Sequence, residues 1–332
     1  MAFSTTELSR MADIVNEALS DSEFSSFTVT TKDFDPNDTY MGGGLIKWSD
    51  SNDNPITKAF NQTALNRITD KGQFFHFKSL KIAQLIVSNK SIQVSNILSN
   101  QENDFAEYSE FYKRLGLFRQ LIPKDYCQQQ QANKFNPASK SPMDEERENI
   151  LILCFSKEGH KEKFWTNYAN NDNGVCLCFR LLDFDPKFAW YYNFRDVSYD
   201  NGYRFDFINH INYHFIKEFD RQLFIEGITK FSKFYKRGKY EWENETRLAF
   251  HYNFDFGGYG PELEKSFPMQ TDNETNRKYI NLPLEGNATP NPYFTLTIDE
   301  VICGKNVTDA DYATLQQALR ANFPNATIWR RK

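Results

Sequence analysis

The sequence predicts an α+β fold, and three observations carry that reading. Residues 150–179 run strand, helix, strand in about thirty positions, a compact scaffold for a pocket. Residues 295–330 repeat the alternation. Aromatic residues make up 16% of the 332 positions, with 31 Phe against only 15 Gly, enough ring surface for a thick core or a stacking surface.

Spacing predicts each element in chain order. Leu8, Met11, Ile14, Val15, Ala18 and Leu19 keep helical spacing behind a cap at Thr5 or Thr6. Residues 21–53 are then polar and include Gly42, Gly43 and Gly44. FFHF (74–77) predicts a strand, Leu80, Ile82, Ala83, Leu85 and Ile86 a helix, and SIQVS (91–95) another strand. Residues 119–149 are polar and punctuated by proline, which predicts a long loop. ILILCFS (150–156) predicts a buried strand, 160–170 a short helix and GVCLCF (174–179) a strand. Residues 207–235 predict one long helix or two, 246–254 and 295–303 strands, 309–321 a helix capped by Thr308, and ATIWR a closing strand. No internal repeat is present.

Composition narrows the function. The longest apolar runs, Leu151 to Phe155 and Val175 to Phe179, are far too short to span a bilayer, which excludes a channel or transporter. The N-terminus lacks the basic and apolar segments of a leader, and the five cysteines contain no CxxC pair, so a reduced cytoplasmic protein without disulfides or a thiolate zinc site is expected. The net charge of -5 is uneven. Residues 1–71 hold eleven acids against six Lys or Arg, and the rest hold thirty-three of each, marking 1–71 as an acidic extension ahead of a domain over 72–332.

Familiar phosphate and nucleophile loops are missing: there is no GxGxxG, GxxxxGK[ST] or GxSxG. His210 and His214 are one helical turn apart but have no third metal ligand beside them. Cys176 and Cys178 point the same way on a strand, with no activating base identifiable. In KFSKFYKRGKY (230–240), Lys230, Lys233, Lys236, Arg237 and Lys239 alternate with Phe231, Phe234, Tyr235 and Tyr240. That pattern suits phosphates and stacked bases, against the blander alternative of a solvated helix face. EWENETR comes directly after it; on an extended strand Glu243, Glu245 and Arg247 share one face, a clustering of like charge that is costly unless a pocket or cation uses it, against the alternative that Glu243 and Glu245 lie on a helical turn or solvent edge.

Taken in order, these pieces resemble the bacterial family known as domain of unknown function 2971. The motifs are Phe75-His76-Phe77-Lys78-Ser79, then Asn103-Asp104-Phe105-Ala106-Glu107, then Cys154-Phe155-Ser156. A helix with Trp165, Tyr168, Ala169 and Gly174 runs into Val175 to Phe179, and Val197-Ser198-Tyr199 lies beyond it. Lys236, Tyr240, Glu243, Glu245 and Arg247 come next, and Glu300 to Gly304 closes the series. The resemblance covers about residues 72–330. It departs from the family at Lys78 and Ser79, at Asn167 where a histidine is common, and at Tyr240 in place of tryptophan.

The layout is similar to ADP-ribosyltransferases of the His-Tyr-Glu class, which implies a split β-sheet core with peripheral helices and NAD as co-substrate without a metal. On that resemblance His76, Tyr168 and Glu245 converge in one cleft. Glu245 hydrogen-bonds the ribose 2-hydroxyl and offsets the charge of an oxocarbenium-like transition state. Tyr168 stacks on nicotinamide, His76 orients the ribose or carboxamide, and Glu243 takes the acceptor's proton, against the plainer alternatives of a core or edge histidine, a packed helix ring and an Arg247–Glu243 pair across a strand. Lys78, Ser79, Ser156, Trp165 and Arg247 complete the cofactor site, and Lys236, Arg237, Tyr240, Asn103, Asp104 and Glu107 meet the acceptor. The expected partners are a nucleic-acid or protein acceptor and an antitoxin or regulatory protein, with no membrane, as for a bacterial toxin or phage-defence effector. The rivals are a non-catalytic nucleotide- or partner-binding module, and a nuclease using Asp104, Glu107, Glu243 and Glu245 as metal ligands.

Overall fold

In the computed structural model the described residues are 3–20, 25, 28–34, 39–40, 45–48, 72–96, 149–184, 192–200, 206–220, 222–225, 233–252, 267–275, 277–291 and 293–332. In chain order the elements are α1 (Thr5–Leu19), β1 (Thr39–Tyr40), β2 (Leu45–Trp48), β3 (Phe74–Ser79), α2 (Leu80–Asn89), β4 (Ser91–Asn96) and β5 (Ile150–Ser156). Next come α3 (Glu162–Asn167), β6 (Gly174–Phe184), β7 (Tyr192–Asp196), β8 (Ser198–Asp200), α4 (Asp206–Phe219), β9 (Gln222–Ile225) and β10 (Tyr235–Arg237). The chain closes with β11 (Glu245–His251), β12 (Gln270–Thr271), β13 (Lys278–Pro283), β14 (Phe294–Cys303), α5 (Asp309–Asn322) and β15 (Thr327–Arg330). The class is α+β with a mostly antiparallel open sheet.

The chain divides into two compact units. The first takes 1–63 together with 101–145 and 198–239; the second takes 64–100, 146–197 and 240–332. The acidic segment therefore does not stand alone.

In the first unit, α1 starts at Ser4 rather than at a threonine cap. The Ser4 hydroxyl accepts the Glu7 N–H while the Glu7 carboxylate accepts the Ser4 N–H at 2.7 Å, a reciprocal pair that satisfies two end donors at once. Met11, Ile14 and Val15 are fully buried. On the polar side Arg10 grips Glu218 of α4 through two hydrogen bonds, 2.8 and 2.9 Å. The expected 207–235 helix ends at Phe219 because Asp220 turns left-handed (φ 52°) while its N–H closes onto Ile216. A strand, β9, comes next and pairs parallel with β2.

The second unit holds a ten-stranded sheet with the path β12-β13-β4-β5-β3-β6-β14-β15 and with β11 and β7 on the other edge of β5. Within that sheet only β14 and β15 pair parallel. Alternation along the strands separates two faces. On one, Phe74, Leu153, Phe155, Leu177, Phe179 and Leu248 form the main core with Ala83, Ile86 and Val87 of α2 and Leu315 and Leu319 of α5. On the other, Phe77, Cys176, Cys178 and Ile302 pack against Phe164 and Trp165 of α3. The sheet is thus layered between helices.

The junction at β5 positions the site. Along one edge β5 pairs with β11 over all seven residues. Along the other it is forked: Ile152 and Leu151 pair with Ser95 and Asn96 of β4, while only Ser156 pairs with β3, at Phe75.

Candidate functional site

The site grows from the start of β11. A 3-10 turn spans Gly238–Glu243, and Asn244 is left-handed (φ 42°), a conformation that asparagine tolerates and that breaks any extended run. The strand begins only at Glu245. Glu243 therefore does not share a strand face with Glu245 by alternation, as the sequence predicts; Glu245 and Arg247 do.

Glu243 reaches the same neighbourhood by another route. Its buried carboxylate accepts the Tyr168 hydroxyl at 2.6 Å, and its carbonyl accepts the Ser156 hydroxyl at 2.9 Å. Ser156 stands directly opposite Glu245 in the β5–β11 register. Arg247 clamps both oxygens of Glu245, at 2.8 and 3.2 Å, with both residues buried. Hydrogen bonds thus link Tyr168, Glu243 and Ser156, and the Glu245–Arg247 pair is related to them through the register of Glu245 with Ser156. Removing one partner of a buried pair is strongly destabilising, so Arg247→Ala is expected to lower stability by about 3 kcal/mol or more in urea denaturation, against a small effect for the exposed Arg180→Ala.

Tyr168 is 38% exposed, and its ring lies within 20° of the plane of Trp242, centroids 6.2 Å apart. Phe164 backs Trp242 at 5.1 Å, and the Lys163 ammonium sits 4.0 Å from its ring centre. The aromatic shelf thus includes Trp242, which no motif in the sequence singles out. Arg195 is a second such residue, buried and directly opposite Arg247 across β7–β11. Strand spacing gives no hint of Arg195, because that pairing joins segments fifty residues apart.

His76 is not in this cluster. In register, Phe75, Ser156 and Glu245 share one face; His76 therefore points to the other, where its ring meets Phe155 at 5.8 Å and Phe179 at 6.2 Å. The expected convergence of His76, Tyr168 and Glu245 in one cleft does not occur, because a one-residue change of phase reverses the face. His76 instead seals the fork: its Nδ1 donates to the Cys154 carbonyl at 2.8 Å, where β5 has no backbone partner from β3. A carbonyl only accepts, so Nδ1 carries the proton and Nε2 is a bare lone pair, buried and without a hydrogen bond. Burial pushes the imidazole pKa down to about 3, with the nearby Lys78 charge acting in the same direction.

The other predicted residues are scattered. Lys78 alternates with His76 on the same face, and burial lowers its pKa. Ser79 precedes α2 without a side-chain cap bond. Trp165 is core, 1% exposed with its indole N–H on the Gly159 carbonyl, so no ligand reaches it in this arrangement. Tyr240 is half-buried in the 3-10 turn. Lys236 and Arg237 lie on β10 in the first unit. Lys233, Phe234, Tyr235 and Lys236 are buried, so these four residues form neither a solvated helix face nor an open stacking surface, while Arg237 is half-buried and Lys239 exposed. Asn103, Asp104, Glu107, Lys230 and Phe231 lie outside the described residues.

Among the described residues no three metal-ligating side chains cluster, and His214 is engaged by Glu218 at 3.1 Å. The neighbouring Cys176, burial and the Glu300 carboxylate, to which the Cys178 thiol donates at 3.6 Å, push that thiol far up, away from nucleophilic use. A cavity of about 350 Å³ lies elsewhere in the second unit, between β6, the middle of β14, Glu285 and Gly286, and residues 322–326; none of the predicted site residues lines it. Among the described residues no helix is long and apolar enough to cross a membrane. The chain matches no family model, no curated protein and no solved structure.

Proposed function

We propose that the chain is an NAD-dependent ADP-ribosyltransferase of split-sheet type, acting through the Tyr168–Glu243–Ser156–Glu245–Arg247 cluster and without direct contact from His76. The observation that carries this reading is the half-exposed Tyr168 donating to the buried Glu243 at 2.6 Å, with the Glu243 carbonyl bonded to Ser156, the residue paired with Glu245 on β11. In the reaction the C–N bond from ribose to nicotinamide breaks, nicotinamide leaves with the bonding pair, and the acceptor's lone pair forms the new bond to C1 of the ribose. Glu245, aligned by Arg247, offsets the positive charge that develops on the ribose. Glu243 takes the acceptor's proton, and Tyr168 offers a flat, oriented ring to the leaving group.

A second reading is favoured by one observation: Arg247 engages both oxygens of Glu245, as in a structural pair. That is a nucleotide- or partner-binding module without turnover. Pure protein incubated with labelled NAD and RNA or lysate decides between them. Nicotinamide release with label transfer, reduced at least about a hundredfold in Glu245→Gln, is expected. NAD binding with no release supports the binding module, and magnesium-dependent cleavage of the nucleic acid supports a nuclease.

A further inference from the structure

We propose that Arg331 is a positioning residue that sets the Tyr168 phenol against Glu243, an inference that rests on the reading of this pair as part of the site. Tyr168 closes α3, a helix of only six residues, and gains little direction from the helix itself. The turn beyond α3 has an uncommon backbone: Asn170, Asn171 and Asp172 are successively left-handed, at φ 49°, 52° and 64°. Asn and Asp enter that region singly with ease, but three in a row persist only when surrounding contacts over-determine them.

Those contacts converge from Arg331, just after β15, and from the turn after β14. The Arg331 guanidinium donates to Asp172 at 3.0 Å and to Glu162 in the first turn of α3, joining the two ends of the helix-and-turn unit. Its central carbon lies 4.8 Å from the centre of the Trp165 ring, between those ends. Arg331 is in turn fixed by its own N–H on the Cys303 carbonyl at 3.0 Å. Lys305 adds a second cation on Asp172, and Asn306 caps the Asp172 and Asn171 carbonyls. One side chain thus ties the beginning of α3, its buried tryptophan and the left-handed turn, and the residue held between them is Tyr168.

The test uses full-length protein carrying tyrosine labelled with ¹³C at the ζ carbon, with the Tyr168 signal assigned by Tyr168→Phe. Its chemical shift reads the hydrogen bond to Glu243 directly, and Glu243→Gln supplies the reference for a weakened bond. Arg331→Ala is expected to move the Tyr168 signal towards that reference while other tyrosine signals stay in place; Arg331→Lys, which keeps charge but not the fork, moves it part of the way. If Arg331→Ala does not fold, the Lys variant alone decides. An unmoved Tyr168 signal in a folded variant overturns the proposal. If wild-type protein turns over NAD, Arg331→Ala should lower kcat about tenfold with KM within about twofold. If it shows no turnover, the proposed reaction fails while the resonance still decides the positioning role.

Discussion

Lowering the pH from 6.5 to about 3 is expected to remove on the order of 4 kcal/mol of folding stability through one side chain, His76. The folded pKa lies near 3 and the unfolded value near 6.5. Between them the unfolded chain binds a proton that the folded chain refuses, so stability rises with pH across this window. The contribution is complete above pH 6.5 and is lost progressively as pH falls towards 3. The cause is burial first, with the nearby Lys78 charge acting in the same direction: the ring lies against Phe155 and Phe179, and Nε2 meets no acceptor that a second proton could use. Denaturant melts of wild type and His76→Phe across about pH 3–8 check this. The variant should show a shallower acid slope than wild type, the remainder coming from carboxylates such as Glu158 and Asp272 whose pKa values are lowered, and equal slopes in both proteins would show that His76 does not titrate as described.

Replacing Gly304 with alanine is expected to cost more than about 3 kcal/mol or to prevent folding, because a Cβ there would overlap the Asp172 carbonyl, which is backbone held by the Asn306 N–H. The same holds for Gly174, whose added Cβ would meet the Lys78 and Ala169 carbonyls. Gly286 is the control. It is left-handed at φ 72° but faces the flexible end of Lys90, so Gly286→Ala should cost about 1 kcal/mol. Urea melting of the three variants separates backbone overlap from conformational preference; similar losses at Gly304 and Gly286 would contradict the packing described for the 170–172 turn.

Much of the fold is legible in order. The periodicities at 8–19, 80–86 and 309–321 correspond to α1, α2 and α5, and ILILCFS and GVCLCF correspond to β5 and β6 within a few residues. The shared face of Glu245 and Arg247 is also readable, since it needs only the period of two. Tyr168 and Glu243 are legible as residue types, while their hydrogen bond is not, because it spans 75 positions.

The sequence by itself determined which residues sit on strands and helices, and which neighbours on one strand look the same way. The tertiary structure alone decided the phase of each strand against the others. Register through Phe75, Ser156 and Glu245 turned His76 to the core face and away from the glutamates. It alone decided that Lys233 to Lys236 are buried, that residues 1–63 join 198–239 in one unit, and that Arg195 faces Arg247. The physical reason is that propensity and alternation act over a few residues, whereas strand register is set by contacts between segments far apart in the chain, where a shift of one residue exchanges the two faces.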